Sequence, residues 1–148
     1  MLINPMNEHE CAELLSRVSF GRLGCALDNQ AYVVPIYFAH DGKAIYVLST
    51  LGQKIEWMRE NPRVCLQVDE IKGQSQWVSV IVNGEYQELP EPEFTDERNH
   101  ARQLLEKKHN WWMNSMAERM MKSADPLIDP LFFRIRIDSV TGLRAEPK

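Results

Sequence analysis

The sequence predicts a mainly β (α+β) domain. Five or six strands, antiparallel by the shortness of their turns, close wholly or partly into a barrel with a few peripheral helices. Three observations carry this reading. Apolar residues alternate in short runs between Leu23 and Val140, the turn pairs Asp28-Asn29 and Asp41-Gly42 separate such runs, and helical spacing is confined to three stretches.

The first helix starts at Asn7, which has capping-box spacing to Glu10. Cys11, Leu14, Leu15 and Val18 then recur at i, i+3, i+4 and i+7, and the stripe ends before Phe20-Gly21. Leu23, Cys25 and Leu27 alternate as a strand, Asp28-Asn29 turns the chain, and Ala31 to Ala39 forms a second strand. Pro35 cannot donate to a ladder, so it marks an edge, a bulge or a break in pairing. Asp41-Gly42 is a hairpin signal ahead of the strand AIYVLS. A short helix over Gln53–Glu60 carries Ile55 and Met58 on one side and stops at Asn61-Pro62. Strands follow over Arg63–Asp69 and Trp77–Leu89, with Asn83-Gly84 open to either a turn or a bulge. Pro90 and Pro92 precede a helical stretch from about Phe94 to Lys122. Asp125-Pro126 and Asp129-Pro130 connect it to a last strand, Leu131–Val140.

Length and charge narrow the function classes. A chain of 148 residues fits one domain, 1–148, with a helical insertion at about 93–130. A formal net charge of -4 argues against a nucleic-acid partner, which needs a basic face. No run approaches the roughly 20 apolar residues of a membrane span, and MLINPMNEHE lacks the basic and apolar segments of a signal peptide. Cys11, Cys25 and Cys65 are odd in number and widely spaced, so the expected compartment is the cytoplasm.

The segment that speaks of chemistry is Ser49 to Lys54, STLGQK. It leaves a strand, turns at a glycine and enters a helix, where free backbone N–H groups favour an anion. Ser49, Thr50 and Gln53 add neutral donors with no carboxylate between them. Lys54 falls in the first helical turn, where its charge opposes the helix dipole unless a phosphate accompanies it. The common nucleotide fingerprints GxGxxG and GxxxxGK[ST] do not occur there.

These residues have company. FGRLGCAL (20–27), VVPIYF (33–38), DGKAIYVLSTLGQK (41–54), NPRVCLQVDE (61–70), WVSVIVNGEYQEL (77–89) and FFRIRIDSVTGLRAE near the C-terminus follow one another in a recognisable order. In this order the chain resembles the pyridoxamine 5'-phosphate oxidase-like FMN-binding split barrels, and more closely their nitroimidazole-resistance-type branch. The resemblance implies a six-stranded antiparallel split β-barrel and a homodimer with FMN at the interface. It sets Lys54 and Gln53 at the flavin phosphate, and Val34, Pro35 and Ile36 along the isoalloxazine. Val47, Leu48, Ser49 and Thr50 fall beside the ribityl chain and phosphate. Ser79 takes the place of a glutamine near the flavin, with Trp77 and Val80 lining the same pocket. The chain departs from the oxidase itself. Tyr32 and Tyr37 stand where it has basic residues, Val78-Ser79-Val80-Ile81 replaces its Arg-Gln-Val-Arg segment, and a C-terminal substrate-binding arginine has no clear counterpart beyond the neighbouring Arg144. The resemblance therefore points away from vitamin-B6 oxidation. It points to an FMN-dependent oxidoreductase passing electrons from a nicotinamide donor to a nitro compound or quinone. The alternatives are a non-enzymatic FMN- or haem-binding protein and a barrel that has lost its ligand.

No catalytic acid, base or nucleophile stands out. His9, His40, His100 and His109 lack metal-ligand spacing, and His40 is singled out only by its turn after the flavin-side strand. Trp111, Trp112, Met113, Met116, Met120 and Met121 form an aromatic and methionine patch that fits helix packing or a cover over the flavin. Arg134 and Arg136 alternate with apolar residues and are expected to face solvent or a partner.

Overall fold

The computed structural model describes the backbone of residues 1–122 and 130–148, and the side chains of 1–108 and 130–148. The element order is β1 (Leu2–Pro5), α1 (Glu8–Arg17), β2 (Phe20–Leu27), β3 (Gln30–Tyr37), β4 (Ala39–His40), β5 (Ala44–Ser49), α2 (Gln53–Glu60), β6 (Arg63–Gly73), β7 (Gln76–Glu88), α3 (Thr95–Lys122) and β8 (Leu131–Glu146). All strand pairs are antiparallel, in the order β3-β2-β6-β7-β8-β5-β4, with β1 added alongside β8. The fold is mainly β, as the sequence predicts, and of the split-barrel type.

The sheet has eight strands rather than six. The two additions are β1, whose four residues are all exposed, and β4, which is two residues long. Neither has the buried alternation that reveals a strand in sequence. β6 and β8 also run past their expected ends, to Gly73 and Glu146.

Local chemistry sets the connections. Asn7 and Glu10 cap α1 reciprocally, with Glu10 N–H donating to Asn7 Oδ1 at 2.9 Å and Asn7 N–H to Glu10 Oε1 at 3.2 Å. Asp28 and Asn29 both take positive φ (51° and 65°), as a two-residue turn between β2 and β3 requires. Asp41 Oδ1 accepts from the N–H groups of Lys43 and Ala44, holding the β4–β5 turn. Pro35 lies on β3, which pairs only with β2 and is an edge. Asn83-Gly84 is the site of a bulge, not a turn: β7 continues, and β8 carries the extra residue, Asp138, between the partners of Asn83 and Gly84. A side chain at Gly84 would put its Cβ 2.1 Å from the Arg136 carbonyl oxygen.

Two apolar clusters result. The larger fills the barrel with Leu23, Cys25, Ile36, Val47, Leu66, Val68, Val80, Val82 and Phe133, covered by Leu14 and Leu15 of α1 and by Ile55 and Met58 of α2. The smaller joins Ala101 and Leu105 of α3 to Tyr46, Leu89 and Phe132. No described helix is long and apolar enough to cross a membrane.

Candidate functional site

The site grows from the end of β5. Alternation turns Val47 and Ser49 inward, while Leu48 packs on the smaller cluster under α3. Ser49 is 5% exposed, and its hydroxyl donates to the Thr50 carbonyl at 3.0 Å. Leu51 and Gly52 are exposed, and Gly52 becomes the N-cap of α2 with an extended backbone, φ 174°. No side chain caps this helix. The N–H of Glu56 reaches the Gly52 carbonyl at 3.1 Å, and the N–H groups ahead of it are left with no acceptor in the helix.

Lys54 stands in that open turn and is half-buried. Burial lowers its pKa below the ordinary lysine value, and the nearby Cys25 thiol opposes this more weakly. No carboxylate pairs with it among the described residues. Glu56, the acid of the first turn, is exposed. Tyr32 and Trp57 meet at a tilt beside this end of the barrel, with ring centroids 5.5 Å apart and planes at 51°. An uncapped helix start and an unpaired lysine thus converge on one place. The chemistry they can perform is to hold an oxyanion.

The remaining predicted residues divide by face. Ile36, Val47 and Val80 are core side chains, and Val34 packs against the core, so Ile36, Val47 and Val80 could offer a ligand only their backbone. Pro35, Trp77 and Ser79 point to the outer face. There Pro35 pairs with Arg22, and Arg22, Gln67, Asp69 and Ser79 form one network. Arg22 Nη1 reaches Asp69 Oδ2 at 3.3 Å, and Gln67 Nε2 donates to Asp69 Oδ2 at 2.9 Å and to Ser79 Oγ at 3.1 Å. Trp77 lines a cleft of about 220 Å³ with Arg17, Glu70 and Arg144. A wider groove of about 520 Å³ passes over Gly24, Ala31, Val33, Cys65 and Gly84. α2, which carries Lys54, packs Ile55 and Met58 into the same inner cluster as Cys25, whereas Arg22 faces outward. Within one chain the sheet therefore separates Lys54 from Ser79 and Trp77.

Sequence reasoning missed the partners of two groups. His100 Nε2 lies 2.9 Å from Asp41 Oδ2, tying α3 to the β4–β5 turn. Arg134 is not simply solvent-facing: its Nε donates to Gln87 Oε1 at 2.8 Å and it stacks over Phe94 at 6.0 Å. Arg136 does lie outside, paired with Glu85 at 2.9 Å. His40 is largely buried and its pKa is lowered, first by burial. Among the described residues no group of three or more His, Cys, Asp or Glu could hold a metal. The side chains of Trp111, Trp112, Met113, Met116, Met120 and Met121, together with Asp125-Pro126, lie outside the described residues.

Comparison with known proteins gives this geometry a setting. A family model described as pyridoxamine 5'-phosphate oxidase matches residues 7–144. An uncharacterized protein of Rhizobium meliloti is 41% identical over 146 residues, which are 98% of this chain and 97% of that one. The crystal structure of a FAD-binding protein of Mesorhizobium loti is 40% identical, superposes with a TM-score of 0.79, and covers 99% of this chain and 100% of its own. A candidate 5-nitroimidazole antibiotic resistance protein of Bacteroides thetaiotaomicron shares the fold at 18% identity, with a TM-score of 0.69 over 99% of this chain and 93% of that one.

Proposed function

This chain belongs to the pyridoxamine 5'-phosphate oxidase family, and we propose that it is a flavin-binding oxidoreductase anchoring the flavin phosphate on Lys54. The observation that carries the reading is the uncapped start of α2 with an unpaired, half-buried lysine in its first turn. A phosphate there would accept from the free N–H groups and from Lys54, and would turn the unfavourable lysine–dipole contact into a favourable one. Ser49, Thr50 and Gln53 would add neutral donors. Flavin supplies hydride and electron transfer when bound, and the protein's part is to orient it and exclude water. Electrons would pass from a nicotinamide donor to a small oxidant of the nitro or quinone type.

The ring would lie along β3, beside the groove that Tyr32 and Val33 help to line. A second copy of the chain completes the site in this reading. Its outer face would carry Trp77 and Ser79 to the Lys54 side of the first protomer. The outer face presents Phe20, Val33, Ile71, Ile81 and Leu143, each at least 41% exposed, large apolar groups around the polar Arg22–Asp69–Ser79 network that suit a homodimer. The three free cysteines fit a cytoplasmic location. FMN is the cofactor proposed. FAD is the second reading, favoured by the FAD-binding protein of Mesorhizobium loti, since both cofactors carry the same phosphate next to the ribityl chain.

The visible absorption spectrum of the purified protein tests the proposal, followed by chromatography of the released cofactor. An oxidised-flavin spectrum with FMN released supports it, and FAD released selects the second reading. A colourless protein that takes up neither cofactor would refute both.

A further inference from the structure

Away from Lys54, the face between α3 and the sheet holds an arrangement outside the flavin site proposed above. Arg98 and Arg102 stand one turn apart on α3 and project to the same side. Both guanidinium groups lie over the ring of the buried Phe132, at 4.9 and 5.8 Å from its centroid. The Nε atom of each is shut off from solvent and has no hydrogen-bond partner among the described residues. Buried N–H groups are nearly always paired, so two orphans side by side point to an absent acceptor.

The neighbouring acceptors do not supply it. Glu91 approaches Arg98 Nε only to 3.7 Å and its side chain is 58% exposed. Asp41 is taken by His100 and by the N–H groups of Lys43 and Ala44. Gln87 is taken by Arg134, itself a third cation at this interface. Arg102 has no carboxylate partner among the described residues. Stacking on an aromatic ring fixes a guanidinium plane and leaves its edge of N–H donors, the fork that matches the two oxygens of a carboxylate or phosphate.

We propose that Arg98 and Arg102, stacked on Phe132, form a second oxyanion site, distinct from the Lys54 anchor, for the carboxylate or phosphate of a small molecule. It lies against Leu48, one residue before the strand end that carries Ser49. A substrate or co-ligand bearing such a group would be held by the Nη donors at the edge of the two guanidinium groups, and would reach the closed Nε atoms only if the side chains turn toward it.

The test is a titration with inorganic phosphate and, separately, malonate, following the arginine Nε–Hε NMR signals, with sodium chloride at matched ionic strength as control. Saturable shifts at Arg98 and Arg102 are expected with at least one oxyanion, and which one acts identifies the ligand group. The Lys54→Gln protein should respond in the same way, which separates this site from the flavin anchor. Arg102→Gln should weaken binding by roughly tenfold or more. Arg102→Lys, which keeps the charge without the fork, should weaken it as well, and guards against a folding defect in the first variant. Shifts that chloride reproduces, or an affinity that neither Arg102 variant changes, would overturn the proposal.

Discussion

Two half-buried lysines sit at opposite kinds of helix end. Lys108 of α3 docks at the end of α1, where its ammonium donates to the Leu15 carbonyl at 2.9 Å and lies 4.6 Å from the centroid of the Phe38 ring. Lys54 sits at the start of α2, with neither an acceptor nor an acid among the described residues. Burial lowers the pKa of both, that of Lys108 to about 8. The difference lies in what answers the charge. A cation at a helix C-terminus meets the negative end of the dipole, and one at an N-terminus meets the positive end. The fold alone accounts for Lys108, which ties α3 to α1. No described residue answers Lys54, and a bound phosphate would.

The same substitution at the two positions should therefore have opposite effects on the empty protein. Lys108→Met removes a charge-assisted hydrogen bond and leaves the Leu15 carbonyl to find another donor. The hydrogen bond is set against the cost of burying the charge, so chemical denaturation should show a loss of about 0.5–1.5 kcal/mol above pH 8, where the lysine is neutral, and a smaller or reversed effect at pH 7. Lys54→Met removes an unpaired charge that opposes the dipole, and should gain about 0.3–1 kcal/mol in the same assay. Losses of equal size at both positions would erase the distinction.

Titration sharpens it next. The pKa of Lys108 is lower in the folded protein than the 10.5 of a free lysine. Between about 8 and 10.5 the unfolded chain holds the proton that the folded chain has released, so this group makes stability rise with pH across that window. The difference between wild type and Lys108→Met isolates the contribution, since the other groups titrating there are common to both. A difference that stays flat from pH 7 to 10.5 would contradict the assignment.

The smallest effect concerns the helix start itself. α1 closes its own N-terminus through Asn7 and Glu10, while α2 leaves its end open at Gly52. A Cβ at Gly52 meets nothing within 4 Å, and its extended backbone suits any residue. Gly52→Asp should stabilise the empty protein by a few tenths of a kcal/mol through the added cap. It should also weaken flavin binding, because the carboxylate occupies the N–H groups and repels phosphate. Flavin affinity equal to wild type would show that the phosphate does not use this helix end.

How much of this could be read in the sequence depends on how local the cause is. The Asn7–Glu10 box and the Asp28-Asn29 turn are set by residues within a few positions of one another, and both were legible; Pro35 allowed an edge, a bulge or a break in pairing, and the strand order selects the edge. So was the STLGQK segment, because a strand end, a glycine and a lysine in the first helical turn are contiguous. Leu2–Pro5 was not legible as a strand, since it is exposed throughout and exists only by pairing with Leu143 to Glu146. Gly84 gave two readings because its role depends on the Arg136 carbonyl, far away in sequence. Nothing near Lys107 and Lys108 tells which of them is buried; only the approach of α1 decides it. Nothing in the sequence around Arg98 and Arg102 shows that Phe132 lies beneath them. The division of Ser79 and Lys54 between two faces of the sheet likewise needs the register of β2, β6 and β7.

In the proposed site Lys54 holds the flavin's phosphate rather than some other part of it. The most direct measurement is a cycle of four dissociation constants, for FMN and riboflavin binding to the wild-type apoprotein and to Lys54→Gln, read by quenching of flavin fluorescence. Riboflavin lacks only the phosphate. Losing the lysine should weaken FMN binding about ten- to a hundredfold, as expected of a charge-assisted contact of about 1.5–3 kcal/mol, and riboflavin binding almost not at all. Equal losses for the two ligands, or none for FMN, would place the phosphate elsewhere and contradict this role for Lys54.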